Sequence, residues 1–333
     1  MAHTAVVILN WNGCEMLQRF LPSVVDFSEA DGAVVYVADN GSTDASVAMV
    51  RQHFPTVRLI LLEKNYGFAE GYNRALEQLD ARYVVLLNSD VEVTAHWLRP
   101  LVAFMDIHPE AAACQPKLRS WYRRDEFEYA GAAGGFIDKY GYPFCRGRIM
   151  NKVEKDHGQY DNTTSVFWAT GAAMFVRLQD FRAAGGFDNR FFAHMEEIDL
   201  CWRFRARGKL IACVPQSVVY HVGAATLKRE NPEKTFLNFR NNLLMLYKNL
   251  PAYKLRHVMQ VRCMLDYLAA LFFLMRGDRK NARAVILARR AYKRLRPDFW
   301  LQRKENLNKQ THPVISEQTK RSILLAALFH AKP

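Results

Sequence analysis

The chain has 333 residues, 50% hydrophobic and 24% charged, with a formal net charge of +13. That length suits about two domains with a substantial core, and the balance excludes a disordered, collagen-like or multi-spanning membrane chain. Six cysteines (Cys14, Cys114, Cys145, Cys201, Cys213, Cys263) lie far apart with no C-x-x-C pair, as expected of reduced, mostly buried thiols in a cytoplasmic protein.

The first ten residues run directly into an apolar stretch without a basic leader or cleavage site, so no export signal is expected. Runs rich in β-branched residues at 5–9, 34–38, 57–62 and 83–87 predict buried strands. Between them, apolar residues recur at helical spacing: Met16, Leu17, Phe20, Leu21 and Val24, then Val47, Val50 and Phe54, then Ala69, Tyr72, Ala75, Leu76 and Leu79. Alternating strand and helix implies an α/β fold, a Rossmann-like mostly parallel sheet flanked by helices. Such sheets bind ligands beyond the carboxyl ends of their strands. Here all four ends turn polar: Asn10-Trp11-Asn12-Gly13, Asp39-Asn40-Gly41-Ser42-Thr43-Asp44, Asn65-Tyr66-Gly67-Phe68 and Asn88-Ser89-Asp90. No G-x-G-x-x-G follows the first strand and no G-x-x-x-x-G-K-[ST] occurs, which disfavours a dinucleotide dehydrogenase and a P-loop nucleotidase.

Residues 128–162, rich in Gly, Tyr and charge with weak periodicity, read as long loops over the site. A strand at 172–176, a turn at 185–188, a helix carrying Glu196, Glu197, Asp199 and Trp202, and a strand at 217–220 ending in His221 follow. From Phe236 onward the pattern is helical, dividing the chain into a catalytic domain, 1–230, and a basic helical extension, 231–333. Residues 222–333 hold 23 Lys and Arg against 7 Asp and Glu, so the basicity lies there. Mixed with apolar clusters at 243–247 and 267–275, it suits an anionic membrane surface better than nucleic acid. Arg262 and Asp266 break the second apolar run short of the roughly 20 residues of a spanning helix, so the segment is expected to lie on a membrane and not through it. The alternative is that these apolar faces pack on the catalytic domain.

The blocks at 7–12, 38–44, 65–74, 86–90 and 185–188 through His221 stand in the order found in family 2 glycosyltransferases. Residues 4–226 resemble that family, in its rhamnosyltransferase-like branch. The resemblance implies a GT-A fold and an inverting transfer of sugar from a UDP- or dTDP-linked nucleotide-sugar to a glycan or lipid-linked glycan acceptor, in cell-surface polysaccharide synthesis at the cytoplasmic membrane face. A sugar nucleotidyltransferase would need a Gly-rich phosphate loop after strand one, which Asn12-Gly13-Cys14-Glu15 does not provide. The other rival is a non-catalytic basic membrane- or nucleic-acid-binding protein on a degenerate transferase scaffold.

As the glycosidic bond breaks, charge grows on the leaving diphosphate, where a divalent cation or fixed positive groups are needed. Asp90 is placed to hold Mg²⁺ or Mn²⁺; the family's Asp-x-Asp reads Asn88-Ser89-Asp90 here, so one anionic contact is lost. The resemblance supplies His221 as second ligand, and a neutral imidazole suits Mn²⁺ better than Mg²⁺. An acidic strand-end turn and a half-buried core histidine are the alternatives. By the same resemblance Asp39 accepts from the base or ribose, or else only forms an Asx-turn. Asn10, Asn12, Asn65, Asn88 and Ser89 join the nucleotide-sugar set. Ser42, Thr43 and Asp44 are expected only to cap the next helix. Arg74 either neutralises the diphosphate or is a solvated helix arginine. Residue matching makes Glu197 the base that takes the acceptor proton, with Glu196 and Asp199 beside it. Helical spacing puts Glu196 and Asp199 on one face and Glu197 about 100° from Glu196, so the three cannot serve one atom. Trp168 either floors the acceptor site or is buried in the core.

Overall fold

The β-branched runs form strands and the periodic stretches between them form helices. The structure, a computed structural model, describes residues 2–149, 152–223 and 231–324. In order come β1 (Ala2–Asn10), α1 (Cys14–Ala30), β2 (Val34–Asp39), α2 (Ser46–His53), β3 (Arg58–Leu61), α3 (Gly67–Glu77), β4 (Ala81–Leu87), β5 (Val91–Val93), α4 (Leu98–Ile107) and β6 (Ala111–Ser120). Four short strands follow, β7 (Gly135–Asp138), β8 (Pro143–Cys145), β9 (Arg148–Ile149) and β10 (Lys152–Val153). Then come β11 (Thr164–Ser165), β12 (Ala173–Arg177), α5 (Leu178–Ala183), α6 (Glu196–Ala206) and β13 (Leu210–His221). The chain continues with α7 (Pro232–Asn249), α8 (Ala252–Met275), α9 (Arg279–Leu295), α10 (Trp300–Asn308) and β14 (Gln318–Thr319).

The main sheet runs β11-β13-β6-β12-β4-β1-β2-β3, with β5 paired to β13. β1 to β4 are mutually parallel, β12 lies antiparallel between β4 and β6, and β13 runs parallel to β6. The carboxyl ends of β1, β2, β3, β4, β6 and β13 therefore share one edge. Alternate strand residues feed opposite faces. Val6, Ile8, Val35, Val37, Val85 and Leu87 pack under α1, α2 and α4, whereas Ala5, Val7, Ala38, Val84 and Leu86 face α3, α5 and α6. Burial on both faces is why these strands read as unbroken apolar runs.

Two parts of the sheet structure depart from the sequence expectation. β6 lies inside the main sheet although its sequence AAACQPKLRS carries few β-branched residues; its Lys117 is buried against Asp156 at 2.9 Å. Residues 135–153, expected as loops, contribute to a small sheet in the order β10-β9-β8-β7-β14. Strands of two to four residues are too short to show a period. Gly135 lies flat on the Trp168 ring, where an added Cβ would come within 2.0 Å of the indole.

The helical reading beyond Phe236 holds for α7 to α10. Leu243, Leu244, Met245 and Leu246 of α7 and Tyr292 of α9 belong to the same core as Ala69, Phe191 and Trp202, so these helices pack directly on the sheet domain. The expected boundary at 230 adjoins residues 224–230, outside the described residues. The six cysteines form no disulfide; four are buried and two half-buried.

α7 is also fixed by charge. Lys248 Nζ is 2.8 Å from Asp188 Oδ2 and 2.8 Å from Asp199 Oδ2, and Asp199 also accepts from Arg203 Nε at 3.0 Å and from Asn249 Nδ2 at 2.8 Å. Asp188 is held far below the usual carboxylate range: burial would raise it, but Lys248 and Arg190 together prevail. Replacing Lys248 by Met keeps the volume but takes the shared cation from two buried carboxylates, leaving Asp188 with Arg190 and Asp199 with Arg203 and Asn249. Lys248→Met is expected to cost about 3 kcal/mol, read as a lowered melting temperature; an unchanged melting temperature refutes this role.

Candidate active site

The first three strand ends are bound into one frame. Asn10 Nδ2 donates to Asp39 Oδ1 at 3.2 Å and to Ser42 Oγ at 3.2 Å, and Asp39 Oδ2 accepts from Ser42 N at 2.9 Å. Asp39 thus forms the turn, and it is buried. Ser42 does more than cap: its Oγ accepts from the backbone N of Asn12 at 2.9 Å, tying the β1 loop to the β2 loop. Asn12, at φ 50°, accepts in return from Thr43 N at 2.8 Å. Asp44 accepts from Ser46 N at 3.0 Å at the start of α2 and from Cys14 N at 3.0 Å. Asn65 Oδ1 accepts from Gly67 N at 2.8 Å and from Asn40 Nδ2 at 3.1 Å, joining the loop after β3 to the same frame. Gly41, at φ 72°, lets the β2 loop pass the Lys64 backbone, which a Cβ would meet at 2.5 Å.

β4 ends beside this frame. Asn88 N bonds Ala172 O at 3.0 Å, and Asn88 and Ser89 are half-buried. The antiparallel register sets His221 opposite Val91, next to Asp90. His221 Nε2 lies 3.1 Å from Asp90 Oδ1 and 3.4 Å from Asn88 Nδ2. On the other side of the ring Nδ1 lies 3.5 Å from Glu128 Oε1. Burial alone would lower the imidazole pKa, but the Asp90 and Glu128 carboxylates push it up to about 10. Asp90 is held below its ordinary value in spite of burial, chiefly by the His221 charge. Among the described residues no group of three or more His, Cys, Asp or Glu converges as a complete metal site. Asp90 and His221 fit a divalent ion that completes its shell from substrate phosphates and water, and Glu128 would orient the imidazole from behind.

The third part is the amino end of α6. Glu197 is half-buried and lies beside Gly171, whose Cβ, if present, would sit 3.8 Å from that of Glu197. Gly171 precedes Ala172, the partner of Asn88, so Glu197 and Asp90 meet at one sheet edge. Burial pushes the Glu197 carboxyl up to about 7. Glu196 is buried and raised well above its ordinary value by burial and then by the Glu197 charge. One oxygen of each carboxyl finds no hydrogen-bond partner among the described residues.

The approach to α6 is strained: Phe192, His194 and Met195 have φ 65°, 71° and 74°, left-handed conformations that cost about 1–3 kcal/mol each. They are held from two sides. Phe192 O accepts from Phe68 N at 2.7 Å. Asn241 Nδ2 of α7 reaches Phe191 O at 2.9 Å, Ala193 O at 2.9 Å and His194 O at 2.8 Å.

Three expected site residues have other partners. Asp199 is fully buried with both oxygens engaged by Arg203, Lys248 and Asn249, so it locks α7 to α6 and cannot meet substrate. Arg74 is the solvated helix arginine: it pairs with Glu70 at 2.8 Å and stacks over Tyr66 at 4.0 Å. Trp168 is the core tryptophan, its Nε1 donating to Phe136 O at 2.9 Å. Glu128 and Asn241 were not expected. Glu128 sat in the stretch read as loop, and Asn241 shows only as a polar pair, Asn241-Asn242, ahead of an apolar run.

Residues 5–175 match the Glycosyl transferase family 2 description. The chain is 30% identical over 243 residues to an N-acetylglucosaminyl-diphospho-decaprenol L-rhamnosyltransferase of Mycobacterium tuberculosis, covering 68% of this chain and 78% of that one. In fold it is similar to GalNAc-T7 with UDP, GalNAc and Mn²⁺, at TM-score 0.60 and 15% identity over 76% of this chain and 49% of that one. It is also similar to the mannosyltransferase PcManGT of Pyrobaculum calidifontis with GDP-Man and Mn²⁺, at TM-score 0.54 and 14% identity over 87% and 86% of the two chains. With the sheet, the polar strand ends and the Asp90 and Glu197 clusters in place, the chain belongs to the family 2 glycosyltransferases and has their GT-A fold.

Proposed function

We propose that the chain is an inverting, metal-dependent transferase that moves a hexosyl or deoxyhexosyl group from a UDP- or dTDP-linked donor to a glycan or lipid-linked glycan acceptor. Cell-surface polysaccharide synthesis at the cytoplasmic membrane face is the setting we infer, in line with the rhamnosyltransferase relative. The observation that carries the reading is Glu197, a half-buried carboxyl with a pKa of about 7 and a free oxygen, at the same sheet edge as Asp90 and His221. A carboxylate poised near neutrality suits a base that takes the acceptor hydroxyl proton as the oxygen attacks the anomeric carbon. Burial and the Glu197 charge raise the Glu196 carboxyl well above its ordinary value, which disfavours a second negative charge beside Glu197.

Asn10, Asn12, Asp39 and Asn65 frame the nucleotide, with Asn88 and Ser89 lying toward the diphosphate. Asp90 and His221 would hold Mn²⁺ or Mg²⁺, whose charge offsets that of the leaving diphosphate. Metal binding at His221 would replace the proton it carries in the metal-free state.

The test begins with melting temperature in the presence of UDP, dTDP, GDP or CMP, each with and without Mn²⁺. A manganese-dependent rise is expected with UDP or dTDP, and Asp90→Ala should remove the manganese dependence. No rise with any nucleotide would favour a degenerate scaffold that binds membrane or nucleic acid without turnover. Glu197→Gln is expected to lower transfer by about 10²–10⁴-fold while leaving the nucleotide-induced shift in place. Because only the ionised form accepts a proton, wild-type kcat/KM should rise with pH through about 7, and normal turnover by Glu197→Gln refutes the assignment. Asn241→Ala frees the strained approach to α6, so kcat should fall with KM for the donor little changed. Restoration of the rate by Asn241→Gln would argue for the hydrogen bonds over packing.

A further inference from the structure

The later turns of α8 are inside out. Its charged residues Arg262 and Asp266, expected to interrupt a membrane-facing run, are the buried ones, at 2% and 0% exposure. They join at 3.3 Å, and Arg289 of α9 closes on Asp266 at 2.5 Å. The opposite face is apolar and open, with Met264, Leu268, Leu271, Phe272 and Met275 each more than half exposed. A helix of a water-soluble surface carries the reverse pattern. Large open apolar faces mark contact with a partner or a membrane.

We propose that this outward face of α8 seats on an anionic lipid surface with the helix lying along it. Charge complementarity selects that occupant. Arg276, exposed beside Phe272, and Arg279 and Lys280, exposed just beyond the turn, border the apolar face. Between residues 252 and 295 stand 11 Lys and Arg and only two acids, Asp266 and Asp278. Asp266 is buried, and Asp278 caps α9 by accepting from Asn281 N at 3.0 Å. A second copy pairing through this face about a two-fold axis would bring like charges together with no exposed acid on α8 or α9 to offset them. Among the described residues α8 is the one helix long and apolar enough to cross a bilayer, but it packs along α9, in which seven of 17 residues are Lys or Arg. Such a pair can rest at the headgroup level and cannot enter the hydrocarbon together.

The face is wired to the site. Arg262 Nη1 donates to Tyr140 O at 3.1 Å and to Asn242 Oδ1, and Asn242 Nδ2 donates to Gly141 O at 2.7 Å. The neighbouring Asn241 holds the approach to Glu196 and Glu197. A seated α8 would fix the catalytic edge at a set height above the lipid, which suits an acceptor carried by a membrane lipid.

Flotation of the full chain with vesicles of phosphatidylcholine, alone or mixed with phosphatidylglycerol, tests this without donor or turnover, so it stands apart from the catalytic reading. Wild type is expected to float with the anionic vesicles and to be released by high salt. Leu271→Glu with Phe272→Glu should reduce binding at least about tenfold, and Arg276→Ala, Arg279→Ala and Lys280→Ala should cost about fivefold per charge removed. Both variants alter exposed side chains only, and an unchanged melting temperature verifies their fold. Failure of wild type to float overturns the proposal, as does flotation indifferent to the Leu271 and Phe272 changes. A concentration-dependent dimer abolished by those two changes would overturn it in favour of a second copy.

Discussion

Helix α6, which carries the proposed base, is held by a buried charge junction, and the rest of the candidate site depends on it. Lys248 of α7 sits between Asp188, on the turn before α6, and Asp199, within α6. Buried ion pairs are poor sources of net stability because desolvation cancels most of the attraction. Their value is in specifying register, since a shift of α7 by one residue would leave charges in a low-dielectric core without partners. With Lys248 fixed, Asn241 lies two turns earlier on the same helix, where it can reach the carbonyls at 191, 193 and 194. The C-terminal helices thus help to build the candidate site.

That support is needed because the chain before α6 stands in unfavourable conformations. Three left-handed residues in four persist only where neighbours over-determine them. Their consequence is to turn Glu197 toward Gly171 while Glu196 and Asp199 enter the interior. Three acids within four residues therefore meet three environments: buried without an ion partner, half-buried at the sheet edge, and ion-paired in the core. Sequence spacing of about 100° per residue already separated Glu197 from the other two. Only packing decides which side faces the sheet edge.

The parts of the fold legible in sequence are those governed by local rules. β1 to β4 are buried on both faces and announce themselves by β-branched runs, and their polar ends mark the candidate ligand edge. β6 was illegible because its partners, not its residues, make it a strand; alanines, a proline and a buried lysine carry no strand signal. The small sheet escaped because its strands are shorter than any period. Within the candidate site, motif order picked out Asp90, His221 and Glu197, and the fold brings these three to one sheet edge. Arg74 and Trp168 were misplaced because a helix arginine and a core tryptophan look the same in sequence as a phosphate ligand and a sugar platform. Glu128 and Asn241 act across long sequence separations, and neither leaves a local pattern.

α8 shows the same limit from the other side. An arginine and an aspartate in an apolar run give two opposite meanings with one spelling: facing out, they make the helix an ordinary solvated one, and facing in, they expose the apolar stripe. Arg289 decides between them, because its charge on α9 offers Asp266 a partner inside the protein. Once Arg262, Asp266 and Arg289 satisfy one another, the large exposed side chains of α8 from Met264 to Met275 are all apolar or aromatic, and the exposed charge just beyond them is of one sign. The exposed Arg276, Arg279 and Lys280 therefore border one apolar face, laid open by a pairing three residues wide.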